Sequence, residues 1–173
     1  MHSSADQPKS STAEVFWHLV PYPELTLDAL YDVMELRQRV FIVEQNCPYI
    51  DADGIDPSCW HVIGRNEHAA VVAYARILPP GLKYAEPSIG RVVTHPKVRG
   101  TGLGRQLMRE AIRYTDSLFP GESVRISAQM YLIRFYGGLG FEPVGDPYDE
   151  DGIPHVEMVR SGMPQESGLQ SGN

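Results

Sequence analysis

Long apolar runs, cysteine and excess positive charge are all scarce in this chain of 173 residues. No apolar stretch approaches the roughly 20 residues that a membrane-spanning helix needs, so we predict no membrane contact. The formal charge of −7 argues against nucleic acid as a partner. Two cysteines, Cys47 and Cys59, make neither a disulfide framework nor a zinc-ligand spacing. We therefore expect free thiols, no metal and a cytoplasmic protein.

The composition divides the chain into one domain and two polar ends. Residues 1–12 and 161–173 are rich in small polar residues, and we predict that both are disordered tails. The first of these ends lacks the apolar core of a signal peptide. Residues 13–160 are enough for a single domain with a hydrophobic core.

The apolar periodicity predicts an α/β domain with a mixed sheet. Thr26 is placed to cap a first helix that continues through Val40 and Phe41. A second helix is predicted over residues 103–118 and a short third helix over 131–138. The predicted strands cover residues 14–20, 60–63, 69–78, 88–94, 124–128, 141–144 and 155–159.

A glycine-rich turn follows the predicted strand 88–94 and leads directly into the second helix. The run Arg99-Gly-Thr-Gly-Leu-Gly104 places three glycines at alternate positions. The unpaired amides of a helix N-terminus attract anions, and glycine lets the backbone approach a ligand closely. The spacing matches neither the dinucleotide fingerprint nor the P-loop. An anion site is therefore predicted, with an ordinary glycine-rich turn as the alternative.

Two motifs resemble the GNAT family of N-acetyltransferases. The glycine run, preceded by Val-x-His-Pro, is similar to the loop that holds the diphosphate of coenzyme A in that family. Phe135-Tyr-Gly-Gly-Leu-Gly-Phe141 is similar to the family's F-Y-x-x-x-G-F element. Four further segments are similar to the ElaA-like group of the family: residues 40–49, 73–78, 89–93 and 150–155.

This resemblance implies a fold and a co-substrate. The fold is a mixed sheet of about six to seven strands, flanked by helices and with a splayed fourth strand. The co-substrate is acetyl-CoA, with its diphosphate on the glycine loop and its pantetheine arm on the fourth strand. Gln129 stands where many members have Asn. The predicted cofactor-binding residues are Val92, Val93, Thr94, Arg99, Gly100, Thr101, Gly102, Leu103, Gly104, Arg105 and Gln129.

Tyr136 occupies the position of the tyrosine that acts as general acid in the family. A phenol with a pKa of about 10 is protonated at neutral pH and can supply the proton that a departing thiolate needs. Tyr131 ranks second, because five residues earlier on a helix it should face elsewhere. The general base is predicted among four side chains, the first two preferred: Glu44, His155, His61 and His95.

The stretch after the first helix is acidic. No Lys or Arg occurs between Arg39 and Arg65, whereas four carboxylates do. We predict that this local negative field forms the wall of an acceptor pocket and attracts a cationic amine. A solvated acidic loop is the alternative, and the spacing argues against a calcium site. The predicted acceptor-binding residues are Glu44, Asp51 and Asp53.

These observations predict an enzyme that moves acetyl from acetyl-CoA directly to a primary amine of a small molecule or peptide. The alternative is a module that senses acyl-CoA without turnover, which needs the glycine loop but not Tyr136. A homodimer is possible on either interpretation, and neither requires a metal.

Overall fold

The computed structural model describes residues 14–162. The predicted tail 1–12 lies outside the described residues, as does 163–173 of the predicted C-terminal tail. The strands are β1 Val15–Pro21, β2 Trp60–Asn66, β3 Val71–Leu78, β4 Ser88–Thr94, β5 Val124–Gln129, β6 Glu142–Glu150 and β7 Ile153–Arg160. They form one mixed sheet in the order β1-β2-β3-β4-β5-β7-β6. The predicted α/β class and mixed sheet are confirmed.

The helices cover both faces of this sheet. They are α1 Leu27–Arg37, α2 Leu103–Leu118 and the short α3 Ile133–Gly137. Side chains alternate along a strand, so neighbours in β2 and β3 point to opposite faces. Val62 and Ala75 pack in the cluster that contains α2, whereas Ile63 and Tyr74 pack in the cluster that contains α1. Two apolar layers therefore enclose the sheet.

The fourth strand is splayed, as the resemblance implied. β4 and β5 are parallel and pair only at Ser88 and Arg125, whereas all other neighbouring strands pair antiparallel over longer stretches. Beyond this point the two strands separate. The gap between them positions the candidate site.

The first helix ends differently from the prediction. Thr26 Oγ1 accepts the N–H of Ala29 at 3.1 Å, which is the expected N-cap. The α-helix stops at Arg37, however, and continues as a π-helix over Gln38–Glu44. Gln45 N–H donates to the carbonyl of Val40, five residues earlier, at 3.1 Å. Apolar spacing does not distinguish this wider turn from α-helix, and such turns often mark functional sites.

The sixth strand is longer than predicted. The pattern indicated residues 141–144, but β6 runs from Glu142 to Glu150 at the edge of the sheet. Pro143 lies within the predicted strand, and Pro147 lies in the part of β6 that the pattern did not include. An edge strand tolerates proline because one side of its backbone needs no sheet partner. Within residues 14–162, no helix has the length and apolar character that crossing a bilayer would require.

Candidate active site

A cavity of about 960 Å³ opens where β4 separates from β5. The π-helix, β4, the start of α2, β5 and α3 all contribute to its wall. Thr101 and Asp51 are predicted binding residues that do not line it; the hydroxyl of Thr101 instead donates to the Val98 carbonyl at 2.7 Å. The lining includes Glu44, Asp53, Val92, Val93, Thr94, Arg99, Gly100, Gly102, Leu103, Gly104, Arg105, Gln129, Tyr136 and His155.

A bulge shapes the cavity side of β4. Tyr74 of β3 lies opposite Val93, but Arg76 lies opposite Gly90, so β4 contains one extra residue. Arg91, inside the bulge, has a φ of 51°. Beyond the bulge β5 no longer pairs with β4, which leaves backbone groups free to bind an extended ligand.

The glycine loop presents open backbone at the start of α2. Gly100 and Gly102 have φ values of 77° and 86°, which side-chain-bearing residues seldom adopt. A Cβ atom added at either position would meet no atom within 4 Å, so both face open space. Within the described residues no side chain caps α2. The first amides of this helix are therefore available to an anion, and the loop fits a diphosphate.

Tyr136 lies in α3 against the hydrophobic core and lines the cavity. Its ring packs edge-on against Phe135 and Phe141, with centroids 5.0 and 6.1 Å apart. Burial, assisted by the nearby phenol of Tyr131, raises the pKa of Tyr136 to about 12. The phenol is therefore a hydrogen-bond donor across the neutral pH range.

The prediction that Tyr131 faces away from Tyr136 is wrong, because Tyr131 also lines the cavity. Residues Met130–Leu132 form a 3-10 turn before α3. The tighter turn brings Tyr131 to the same cavity as Tyr136, and its side chain is 73% exposed there.

The match to known families follows the same elements. The family model described as an acetyltransferase (GNAT) domain matches residues 60–161, from β2 to the end of β7. This chain belongs to the GNAT family. The match includes the splayed strand, the glycine loop and the F-Y-x-x-x-G-F element.

Similar proteins cover nearly the whole domain. The chain is 42% identical over 146 residues to a UPF0039 protein of Synechocystis, covering 84% of this chain and 95% of that protein. It is 41% identical over 147 residues to protein ElaA of Escherichia coli, covering 83% and 95%. An acyl-CoA N-acyltransferase structure from Pseudomonas aeruginosa has a TM-score of 0.82 at 39% identity, covering 86% of this chain and all of that one. The structure of E. coli ElaA has a TM-score of 0.81 at 39% identity and covers 86% and 100%.

The family and the fold are those of acyltransferases, which use acyl-CoA co-substrates and an acceptor. The predicted resemblance to the GNAT family and its ElaA-like group is confirmed. The alternative of a sensor without turnover is not favoured.

Only one of the three candidate histidines lines the GNAT cavity. His61 is fully buried, with Nδ1 2.8 Å from the Tyr74 hydroxyl and Nε2 3.2 Å from the Asp56 carbonyl. Burial lowers the pKa of His61. His95 accepts the N–H of Lys97 at 3.2 Å in the turn after β4. Neither His61 nor His95 lines the cavity.

His155, on β7, presents a free ring nitrogen. Its Nδ1 lies 2.7 Å from the Ile153 carbonyl, which can only accept, so this hydrogen bond assigns the proton of the neutral ring to Nδ1. Nε2 is left as a proton acceptor, 4.0 Å from a carboxylate oxygen of Glu150. The ring stacks on Tyr148 of β6 with centroids 6.0 Å apart. His155 thus lines the cavity, with its Nδ1 hydrogen-bonded to the backbone and the Glu150 carboxylate near its Nε2.

Glu44 is paired with the glycine loop. Its two carboxylate oxygens accept from Arg99 Nη1 at 2.5 Å and Nη2 at 3.1 Å. Both side chains are about two-fifths exposed, so water screens the pair. The pair joins the π-helix to the glycine loop at the cavity wall.

The rest of the acidic stretch is neither a free negative field nor a solvated loop. Its carboxylates, on the acidic loop (residues 45–55) and the turn after it, are held by three arginines: Arg37, Arg76 and Arg91. The Asp51 side chain is 3% exposed, between Arg37 and Arg91. Burial would raise the pKa of Asp53, but hydrogen bonds from Arg76 and the Ile55 amide outweigh it and lower the pKa. These carboxylates therefore organise the loop.

Sequence reasoning missed the polar group around His155. Ser127 of β5 hydrogen-bonds to the Tyr148 hydroxyl and, at 3.0 Å, to Glu150. β5 alternates buried and half-buried residues, and this period of two puts Ser127 on the same face as Gln129. That alternation was the available signal. No sequence signal indicated the pairing of His155 with Tyr148 across the last hairpin, because the predicted β6 ended before Tyr148.

Proposed function

We propose that this GNAT protein transfers the acetyl group of acetyl-CoA directly to a primary amine of a small molecule or peptide. One observation carries the proposal: a single cavity joins the glycine loop, the gap beside β4, Tyr136 and His155. The amides of the loop and Arg99 bind the diphosphate, and the backbone of Val92 and Thr94 binds the pantetheine arm. This arrangement directs the thioester toward Tyr136.

The residues then move two protons. The amine nitrogen bonds to the acetyl carbon as the carbon–sulfur bond breaks. His155 Nε2 accepts the proton that the amine loses, and the Tyr136 hydroxyl donates to the sulfur that departs as thiolate. Tyr136 regains its proton through solvent from His155, so the net transfer is from the amine to the thiol. Cys47 also lines the cavity, but its thiol contacts the Asp151 carbonyl at 3.7 Å, which favours direct transfer over an acyl-enzyme.

Thiol release from acetyl-CoA tests the reaction. The full chain is incubated with acetyl-CoA and a panel of polyamines, amino acids and peptides, and free thiol is followed with time. We expect release above the acceptor-free control for at least one primary amine, with the N-acetylated product found by mass spectrometry. Longer acyl-CoA esters form a second arm, and faster turnover with these would replace acetyl as the proposed group. Tight binding of acetyl-CoA with no release on any acceptor would support the sensor.

His155→Asn should lower kcat at neutral pH by about a hundredfold, within the usual range for a general base. An asparagine amide can keep the hydrogen bond to the Ile153 carbonyl while removing the nitrogen that accepts the proton. The rate should recover at higher pH, because a lysine-like amine with a pKa of about 10.4 then arrives neutral. The measurement is kcat and kcat/KM for the best amine between pH 6 and 10.

Glu44→Gln is the matched comparison on the other side of the cavity. If His155 is the base, this variant changes the acceptor KM or the affinity for acetyl-CoA and leaves the shape of the pH profile unchanged. A pH-dependent loss in Glu44→Gln, with a normal profile in His155→Asn, would reassign the base to Glu44.

A further inference from the structure

Arg91 has a backbone conformation that residues with side chains seldom adopt. Its φ of 51° lies in the left-handed region, at the bulge in β4 beyond Ser88, the residue at which β4 pairs with β5. Such conformations persist only when the surroundings hold them. At this position the surroundings are charged.

The side chain of Arg91 reaches from the strand to the acidic loop. Its Nε donates to Asp51 Oδ1 at 2.7 Å, and its Nη2 lies 3.2 Å from Asp53 Oδ2 and 3.3 Å from the Asp51 carbonyl oxygen. The guanidinium carbon is 5.7 Å from the ring centroid of Tyr49. One side chain therefore contacts three residues of the loop.

Two arginines hold the same carboxylates from inside the domain. Arg37 Nε donates to the second oxygen of Asp51 at 2.7 Å, and Arg76 Nη2 to Asp53 at 2.8 Å. The Arg37 and Arg76 side chains are 0% and 4% exposed, whereas that of Arg91 is 22% exposed. The inner pairs maintain the loop itself. Arg91 is the one of these three arginines that lies on β4.

We propose that Arg91 is a positioning residue that sets the width of the cavity on the acceptor side. The proposal rests on the proposed function and adds that the amine reaches the thioester between the acidic loop and the backbone of Val92 and Thr94. Tyr49 and Ile50 line this side. Ile50 is 83% exposed, so its own packing does little to fix it. Its position follows from the ion pairs next to it.

Arg91→Gly tests the proposal, because glycine adopts a φ of 51° freely, so the side-chain contacts are removed without introducing backbone strain. We expect the acceptor KM to rise by about tenfold, since small misplacements in an active site are costly. Arg91 lines the cavity next to Val92, but its side chain contacts the acidic loop and not the glycine-rich turn, so the dissociation constant for acetyl-CoA should change much less than the acceptor KM. Arg91→Lys is the second variant. It keeps the charge but loses the planar guanidinium, so its acceptor KM should lie between those of the wild type and Arg91→Gly.

Arg65→Ala is the control. Arg65, in β2, also lies beside a bulge, which is in β3. It bonds to Asp32 of α1 at 3.2 Å, and its side chain is 23% exposed. It is outside the cavity lining. Its loss should lower thermal stability without changing the acceptor KM. An unchanged acceptor KM in Arg91→Gly, or a proportional loss of affinity for acetyl-CoA, would overturn the positioning role.

A second readout does not depend on turnover. Cys47 lies in the acidic loop and is half-buried, whereas Cys59 is buried and burial raises the pKa of its thiol to about 11. Arg91→Gly should increase the rate of Cys47 alkylation by iodoacetamide, followed by mass spectrometry, and leave Cys59 unreacted. An unchanged alkylation rate would contradict the proposal even in a fully active enzyme. Faster alkylation in a chain that acetylates no amine would keep the positioning role and remove only the proposed function.

Discussion

Replacing Tyr136 with phenylalanine should lower kcat by about a hundredfold or more and leave the affinity for acetyl-CoA nearly unchanged. The change removes one hydroxyl and keeps the ring that packs on Phe135 and Phe141, so the fold should persist. The phenol acts on charge that develops on sulfur only as the thioester breaks, which is why binding is spared. The measurement is kcat with the best amine, together with a calorimetric titration of acetyl-CoA.

The raised pKa of Tyr136, about 12 in this structure, refines this expectation. A thiol near pKa 8.5 lies well below it, and each unit of difference costs about 1.4 kcal/mol for complete proton transfer. Hydrogen-bond donation to the sulfur therefore precedes any transfer, and the contribution grows as negative charge develops. Wild-type activity should show no loss from Tyr136 ionisation below pH 10.

Tyr131→Phe is the matched control, since its phenol is in the same cavity but 73% exposed. It should retain most of the activity. Full activity in Tyr136→Phe combined with a large loss in Tyr131→Phe would transfer the acid role to Tyr131.

Gly102→Glu should weaken coenzyme A binding by at least about a hundredfold. A carboxylate would project into open space beside the first amides of α2, where helix N-termini stabilise anions, and it would repel the diphosphate. Calorimetric titration with coenzyme A measures the effect. Affinity equal to that of the wild type in a folded variant would exclude the loop as the diphosphate site.

The new residue is also strained, because Gly102 has a φ of 86°. Gly121→Glu controls for this strain. Gly121 has a φ of 82°, also faces open space and lies in the turn beyond the other end of α2. It should bind coenzyme A normally. Equal loss in both variants would attribute the effect to the backbone.

The parts of the fold that sequence predicted are those determined by local patterns. The buried stripe of α2, the cap at Thr26 and the glycine run each depend on residues within one or two turns, and all are in place. The stripe comprises Leu103, Leu107, Met108, Ala111, Ile112 and Thr115. The α/β order followed from the same patterns. Tyr136 was identified because its motif is also local.

The acidic stretch was misinterpreted because its partners are distant in the chain. Arg76 and Arg91 follow Asp53 by 23 and 38 residues, and only the fold brings them together. A window of sequence around the carboxylates shows uncompensated charge, whereas the structure neutralises it. The π-helix after α1 was not predicted, because its apolar residues fit the spacing of an α-helix equally well.

The gap between β4 and β5 leaves the sheet short of backbone partners, so a ligand that pairs with β4 completes the sheet as a missing strand would. Because such a ligand binds the folded chain and not the unfolded chain, it adds to the free energy of unfolding. The addition is about 2.7 kcal/mol at a ligand concentration one hundred times the dissociation constant. The co-substrate would thus stabilise the folded state of the enzyme that uses it. Thermal stability would report acyl-CoA supply, and a chain deprived of the ligand would unfold more readily than one at work.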